Sequence, residues 1–297
     1  MVQEKIIGRF APSPSGPLHF GSLACALASY LDAKVRGGQW LVRMEDLDPP
    51  REIEGASQHI LNQLEAHSLC WDGQVLFQSQ RLDAYAEVIS SLKEVQLAYH
   101  CQCNRKRITE LSGLYDNHCR TLDLDGQNNA TRLALLHQID IISFDDEFIG
   151  HVSQSLRSTV GDFIIKRRDG LFSYQLAVTV DDAFQAVTRV VRGSDLLNST
   201  PRQIYLQQCL GYKQPSYAHV PIAVTSDGQK LSKQNLATGL PAGYESSNLC
   251  VALDWLQQSP PHKLSSLPTA EIISWAIQNW DQNKLPTNLT VPAPKGF

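Results

Sequence analysis

Residues 6–44 read IIGRFAPSPSGPLHFGSLACALASYLDAKVRGGQWLVRM, and this stretch decides the fold. The apolar run 6–10 predicts a strand, and the prolines and glycine of residues 11–17 end it and prevent a helix from starting there. Apolar residues at helical spacing predict a helix from Ser22 onward, and residues 40–44 predict a second buried strand. This order is a βαβ unit, which favours a parallel sheet with ligands at the carboxyl ends of its strands.

The alternation of strands and helices continues along the chain and is interrupted once, at residues 98–173. The further elements expected from the pattern are helices at 55–69, 81–95, 202–210, 247–257 and 269–278 and strands at 75–77, 174–180 and 187–191. We therefore expect an α/β protein whose Rossmann-like parallel sheet is split by an α+β insertion and followed by a small helical appendage. The expected units are residues 1–97 and 174–225 for the two halves of the sheet, 98–173 for the insertion and 226–297 for the appendage.

Composition limits the class of protein. The chain has 297 residues, 26 basic and 30 acidic side chains, a formal charge of -4 and 42% hydrophobic residues, as expected for a globular protein. This charge excludes a bulk nucleic-acid coat, although a local basic surface such as residues 105–107 or 166–168 could still meet RNA phosphates or could simply be solvated. No secretory leader or long apolar segment is evident, and seven cysteines do not suggest a disulfide framework, so we expect a cytoplasmic protein.

The sequence His19-Phe20-Gly21-Ser22 stands where the loop meets the first helix. A helix amino terminus attracts phosphate through its free N–H groups and its dipole. Gly21 would let a flat adenine ring approach the backbone, and His19 could donate a hydrogen bond to a developing oxyanion. A plain hydrogen bond of His19 within the loop is an equal alternative.

A second cationic motif, Lys230-Leu231-Ser232-Lys233, follows a turn signal. Two lysines three residues apart can hold a leaving pyrophosphate, whereas taken alone they would indicate a solvated basic turn. Found together in this order, the histidine and lysine motifs predict nucleotide activation.

Cys101, Cys103 and Cys119 are the clustered cysteines of the chain. Three thiolates and one nitrogen or oxygen donor make a tetrahedral structural zinc site. Chemistry alone favours His118 or His100 as the fourth ligand, because neutral imidazole binds zinc more readily than a phenol. Three thiols without a metal are the alternative.

The stretches RFAPSPSGPLHFGS, LVRMEDLDPPRE, FQSQRLDAYAEVISSL and VVRGSDLLNSTPRQIYLQQCLG resemble the glutamyl-tRNA synthetases, class I synthetases with HIGH and KMSKS signatures. The resemblance spans residues 6–233. The second signature reads KLSKQ here, and the chain stops where such enzymes continue into an anticodon-binding region. Both departures match a short paralogous family, the glutamyl-Q tRNA(Asp) synthetases.

The resemblance implies roles for particular residues. The residues implied to bind glutamate are Arg9, Ser13, Glu45, Tyr174 and Arg192, the two arginines for carboxylate and Glu45 for the α-ammonium. The residues implied to bind ATP are His19, Gly21, Ser22, Lys230 and Lys233. All of these except Ser22 are also implied to be catalytic. It also implies Tyr115 as the fourth zinc ligand. As an alternative, Arg9 and Arg192 could form structural pairs with Asp46 or Asp195.

The implied activity is formation of glutamyl adenylate from L-glutamate, ATP and Mg2+. The glutamyl group would then pass to queuosine in the anticodon of tRNA(Asp). We expect a monomer with one structural zinc ion. Three alternatives stay open: a short glutamyl-tRNA synthetase that charges a tRNA 3′ terminus, a small-molecule nucleotidyltransferase, and a silent tRNA-binding paralogue.

Overall fold

In the computed structural model, which describes residues 5–225, 228–231 and 239–297, strands and helices alternate from the start of the chain. The strands are β1 (Ile7–Phe10), β2 (Gln39–Met44), β3 (Leu76–Phe77), β4 (Ala98–Cys101), β5 (Ala130–Leu133), β6 (Ile141–Asp146), β7 (Gly150–Ser155), β8 (Phe163–Lys166), β9 (Arg189–Gly193), β10 (Ser216–Val220), β11 (Ile222–Val224) and β12 (Thr290–Pro292). The α-helices are α1 (Phe20–Val35), α2 (Ala56–Ala66), α3 (Leu82–Glu94), α4 (Arg105–Glu110), α5 (Leu156–Thr159), α6 (Tyr174–Phe184), α7 (Thr200–Leu210), α8 (Glu245–Trp255) and α9 (Thr269–Asn279). The predicted βαβ unit is confirmed as β1, α1 and β2.

Two groups of parallel strands meet in the middle of the molecule. One has the order β1-β2-β3, and the other is β6-β10-β9 with β7 antiparallel at its edge. Thr188, just before β9, donates its backbone N–H to the Ile7 carbonyl at 3.0 Å, and its Oγ1 accepts the Ile7 N–H at 2.9 Å. β1 therefore lies beside β9, and the α/β fold with a parallel sheet is confirmed.

The segment predicted as an insertion contains both helix and sheet. β4, β5 and β8 form an antiparallel sheet, and α4 follows β4. β6 lies within the predicted range 98–173 but pairs with β10 of the parallel group. The boundaries of the insertion thus stay a prediction.

The strand predicted at 174–180 is wrong, because this segment begins helix α6. Val178, Thr179 and Val180 are β-branched and favour a strand by propensity. However, Ser173 caps the segment by accepting the Leu176 N–H at 3.3 Å, and the helix is buried along most of its length. Capping and tertiary packing thus override the local preference.

The carboxyl-terminal helices α8 and α9, predicted at 247–257 and 269–278, are confirmed and share a core with α1. Phe20 at the start of α1 packs edge-on against Trp255 at 5.6 Å between ring centroids. After α9 the chain returns as β12, which pairs in parallel with β11, Ile222 opposite Thr290. Within the described residues we find no helix with the length and apolar character needed to cross a bilayer.

Candidate active site

His19 is the residue that joins the β1 loop to α1. As the N-cap it accepts the Ser22 N–H on Nδ1 at 3.3 Å, and its Nε2 lies 3.0 Å from Ser22 Oγ. A methyl group at Gly21 would lie 3.2 Å from His19 Cε1, so glycine leaves the imidazole room. The hydrogen bond considered as a structural alternative for His19 is present, and the residue also lines the cavity described next.

A cavity of about 450 Å³ opens at the carboxyl ends of β1, β2 and β9. Its lining includes each described residue that the sequence assigns to a substrate: Arg9, Ser13, His19, Gly21, Ser22, Glu45, Tyr174, Arg192 and Lys230. Lys233 lies outside the described residues. The amino-acid and nucleotide assignments therefore converge on one site, at the sheet edge where the βαβ pattern places ligands.

Arg9 lies on the floor of this cavity and is 3% exposed. Its Nε donates to Asp182 Oδ1 at 3.2 Å, and the same oxygen accepts from Arg43 Nη2 at 2.8 Å. Both arginines hold the pKa of the Asp182 carboxyl below its usual range, although burial alone would raise it most strongly. The sequence did not indicate this ion cluster, because Asp182 is 173 residues from Arg9 and 139 from Arg43.

The alternative pairings of Arg9 and Arg192 with Asp46 or Asp195 are wrong. Asp46 instead accepts hydrogen bonds from the backbone N–H and the hydroxyl of Ser79, at 2.9 and 2.6 Å. Asp195 accepts from Lys230 Nζ at 2.5 Å.

Arg192, on β9, is held by three neutral groups. Its Nε lies 3.0 Å from His219 Nε2, its Nη1 3.3 Å from Tyr174 Oη and its Nη2 2.8 Å from Thr200 Oγ1. Burial is the main reason that the pKa of Tyr174 is raised, so its hydroxyl stays neutral. Arg192 thus has no carboxylate partner among the described residues, and its charge is available to a ligand.

Glu45 follows β2, and its carboxylate lines the cavity. Its Oε1 is buried with no hydrogen-bond partner in the described part of the chain, and Arg43 Nη2 lies 3.9 Å away. Burial raises the pKa of Glu45 to about 7, against the opposing pull of Arg43 and Arg9. A buried acceptor of this kind favours a cationic donor from a ligand.

Lys230 lines the cavity together with Ala223, Leu231 and the first residues of α1. Its ion pair with Asp195 places the ammonium beside the end of β9. His19 and Lys230 therefore border the same space, as the combination of the two motifs predicts.

The thiols of Cys101, Cys103 and Cys119 lie within 4.8 Å of one another. Cys101 ends β4, and its Sγ accepts from Arg132 Nε at 3.2 Å. Burial opposes ionisation of this thiol, but hydrogen bonds from Arg132 and Tyr115 lower its pKa overall. A partly stabilised thiolate beside two further thiols fits a thiophilic metal such as zinc.

The hydroxyl of Tyr115 contacts two of these cysteines. Its Oη lies 3.6 Å from Cys101 Sγ and accepts the Cys119 N–H at 2.8 Å. His100 instead contacts Lys93 through Nε2 at 2.9 Å. No described histidine has a ring nitrogen within the group of thiols, so the geometry favours Tyr115 over His118.

The basic stretches 105–107 and 166–168 each contain an arginine that already pairs with an acidic side chain. Arg107 bonds Asp116 through its two Nη atoms at 2.9 and 2.6 Å. Arg167 Nη2 lies 2.5 Å from Asp169 Oδ2. Their contact with RNA stays a prediction.

Comparisons with known proteins identify the family of this chain. Residues 5–244 match the family model of tRNA synthetases class I (E and Q), catalytic domain. The glutamyl-Q tRNA(Asp) synthetase of Pseudomonas aeruginosa is 49% identical over 96% of this chain and 97% of its own length. The protein of the same name from Escherichia coli K12 is 48% identical over 98% of this chain and 94% of its own length.

A solved structure extends the comparison to the fold. The glutamate tRNA ligase from Elizabethkingia meningosepticum, crystallised with its amino acid, superposes with a TM-score of 0.79 at 25% identity. The match covers 98% of this chain and 68% of that protein. The chain belongs to the class I tRNA synthetases of the E and Q type, in the family of the glutamyl-Q tRNA(Asp) synthetases.

Proposed function

We propose that this protein activates L-glutamate with ATP as glutamyl adenylate and transfers the glutamyl group to queuosine in the anticodon of tRNA(Asp). The observation that carries the proposal is the single cavity that contains buried cations, an unsatisfied buried carboxylate and the phosphate-type motif of His19. Relatives that match over more than nine tenths of their own length, with nearly half of the residues identical, support the choice of acceptor.

The charges of the cavity suit glutamate. Arg9 and Arg192 line the cavity and Arg43 lies buried behind it, and the carboxylates nearest to these cations are Glu45 in the lining and Asp182 behind it. The side-chain carboxylate of glutamate would lie between Arg9 and Arg192 and complete the balance. The α-ammonium would donate to Glu45, with Ser13 and Tyr174 as further polar contacts, which leaves the α-carboxylate toward the nucleotide.

The nucleotide would bind across the first turn of α1. Gly21 would present its backbone N–H group and Ser22 its hydroxyl to phosphate, and His19, Lys230 and Lys233 would stabilise the charge that develops during the reaction. An α-carboxylate oxygen of glutamate attacks the α-phosphorus, and the bond to the β-phosphate breaks. Pyrophosphate leaves with the Mg2+ that entered with ATP.

Transfer requires only a well-placed hydroxyl. Queuosine carries a cyclopentene cis-diol, which resembles the vicinal diol of a terminal ribose. A hydroxyl oxygen of this diol attacks the glutamyl carbonyl carbon, and AMP leaves. The hydroxyl proton is lost to the phosphate of the leaving AMP or to water. Positioning of the anticodon loop then accounts for most of this step.

We assign the positioning of the anticodon loop to residues 98–173. Residues 1–97 and 174–225 are the two halves of the catalytic domain, and residues 226–297 are the lysine loop and a helical stem.

Cys101, Cys103, Cys119 and Tyr115 would hold one zinc ion. The donor set fits zinc, because three thiols and a phenol oxygen already lie together. The ion would supply structural stability to the segment around β4, with no part in the chemistry. We further propose that the protein acts as a monomer in the cytoplasm.

A labelling experiment tests the function. The full chain is incubated with labelled glutamate, ATP and tRNA(Asp) that either contains or lacks queuosine. We expect label only on the queuosine-containing tRNA, and nuclease digestion with mass spectrometry should locate it in the anticodon. Equal labelling of queuosine-free tRNA at its 3′ terminus would indicate a short glutamyl-tRNA synthetase, and no labelling or pyrophosphate exchange with any tRNA would indicate a silent paralogue.

A further inference from the structure

His219 lies directly beside Arg192, because β10 and β9 pair in parallel with these two residues opposite each other. Both are buried, at 2% and 3% exposure. Among the described residues, Arg192 belongs to the cavity lining and His219 does not. Any effect of His219 on a ligand must therefore pass through Arg192.

Asp146, at the end of β6, fixes the orientation of the imidazole. Its Oδ2 lies 2.6 Å from His219 Nδ1. Its Oδ1 accepts backbone N–H groups from Phe148, Ile149 and His219, each at 3.1 Å. These bonds stabilise the ionised carboxylate, which can only accept, so Nδ1 of His219 carries a proton.

The other ring nitrogen then serves as an acceptor. Nε2 lies 3.0 Å from Arg192 Nε, which can only donate, so the imidazole must be neutral. Thr200 Oγ1 lies 3.2 Å from the same nitrogen and also accepts from Arg192 Nη2. Asp146, His219 and Arg192 thus form a continuous buried chain that ends in the cavity.

The surroundings of His219 favour this neutral state. The charged groups that act on it are Asp146 from β6, Arg192 from β9 and Arg9 from β1, and the Tyr217 ring stacks at 6.4 Å between centroids. Burial comes first among the effects that lower the pKa of His219, and the two arginines add to it against the pull of Asp146. Because His219 is neutral, it places no second positive charge beside Arg192.

We propose that His219 is a positioning residue for glutamate binding, whose Nε2 holds Arg192 Nε and thereby keeps the guanidinium at the cavity wall, with Nη1 beside the Tyr174 hydroxyl. This rests on the proposed function, since it assumes that Arg192 binds a glutamate carboxylate. An arginine held in place before the ligand arrives loses little side-chain freedom on binding.

Two variants separate the two bonds of the imidazole. His219→Asn retains an amide donor near the Nδ1 position for Asp146 and removes the acceptor for Arg192. His219→Gln places an amide oxygen near the Nε2 position and loses the donor to Asp146, whose Oδ1 keeps its backbone bonds. We expect the Kd for L-glutamate, measured by calorimetry on the full chain, to rise about ten- to hundredfold in His219→Asn. For His219→Gln we expect a rise of roughly threefold or less.

Asp146→Asn gives an independent test if His219→Asn does not fold. An amide donor at 146 would favour the tautomer with a proton on Nε2, which then opposes the N–H of Arg192. The Kd for glutamate should rise as in His219→Asn. The KM for ATP at saturating glutamate should stay within about twofold in all three variants.

The outcomes distinguish this inference from the function on which it rests. Equal glutamate affinity in His219→Asn, Asp146→Asn and the unaltered chain would overturn the positioning role. So would a parallel rise in the glutamate Kd and the ATP KM. In the same series Arg192→Ala tests the glutamate site itself: if it binds glutamate normally, the proposed function loses its pocket, whatever the His219 variants do.

Discussion

Arg9 Nε donates to Asp182 Oδ1 across 3.2 Å in a setting where the two residues are 3% and 5% exposed. The same carboxylate binds Arg43, so one buried acid fixes two buried cations. Asp182 is therefore the counter-ion of Arg9, which lines the cavity, and of Arg43.

Asp182→Asn should strongly destabilise the protein. Removal of the charge leaves Arg9 and Arg43 buried without their main partner, which costs about 3–5 kcal/mol in the free energy of unfolding. Urea unfolding of the full chain measures the loss. Asp169→Asn is the matched control, because its pair with Arg167 is exposed and should contribute less than about 1 kcal/mol. Equal losses in the two variants would contradict the role of Asp182.

Glutamate binding should strengthen as pH rises through about 7, the pKa to which burial raises Glu45. The α-ammonium needs the ionised carboxylate, so binding below this pH must release a proton. Affinity should fall by up to about tenfold for each pH unit below 7 and level off above it. Calorimetry between pH 6 and 8 in two buffers checks both the affinity and the released proton. A Kd for Glu45→Gln as low as that of the unaltered chain would contradict the assignment.

The same carboxyl should cost stability when glutamate is absent. Because its pKa is about 7 in the folded chain and ordinarily 4.5, the folded chain holds more protons between these pH values. The free energy of unfolding therefore falls across this window as pH rises, by on the order of 3 kcal/mol from this group. Glu45→Gln should be more stable than the unaltered chain at pH 8, with a difference that shrinks toward pH 4.5. A pH-independent difference would contradict the shift.

Lys230→Ala should slow adenylate formation while glutamate binds normally. The ammonium borders the cavity, on the side to which we assign ATP, and is held by Asp195. Loss of a charge that acts on the transition state reduces kcat about 10²- to 10³-fold. Pyrophosphate exchange and glutamate calorimetry on the same preparation separate the two effects. Lys263→Ala, an exposed lysine near α9, is the control, and a similar slowing there would remove Lys230 from the chemistry.

Purified protein should contain about one zinc ion per chain. Cys119→Ser should lower the stoichiometry and the Tm, because the metal binds only the folded cluster. Cys209→Ser, a half-buried thiol outside the cluster, should change neither. Metal analysis after preparation without chelators measures the stoichiometry, and a value near zero would eliminate the site.

The βαβ unit and the histidine and lysine motifs were predictable because their signals are local, whereas the glutamate-binding residues were implied by the family resemblance. Prolines before an amphipathic helix, and glycine beside a helix terminus, restrict the backbone wherever they occur. The lysine motif likewise stands as a short continuous segment. The roles assigned to these residues stay predictions, although the structure brings those it describes to one cavity.

The buried polar network was not predictable, because its partners are far apart in sequence. Arg43 and Asp182 are 139 residues apart, and Asp146 and His219 are 73 apart. Neither pair belongs to a repeating pattern. The same reason explains the wrong strand at 174–180, since the contacts that make α6 a helix come from elements that local propensity does not include.

The pairing of β12 with β11 has a consequence for how the protein is made. Thr290 lies opposite Ile222, and Ala293 donates its backbone N–H to the Val224 carbonyl at 2.8 Å, just before the segment that carries Lys230. During translation β11 lacks this neighbour until residues beyond 290 have left the ribosome, long after the βαβ unit can fold. The nascent chain therefore completes the wall beside Lys230 only after β12 has emerged, and a ribosome stalled before that point would carry β11 with an open strand edge.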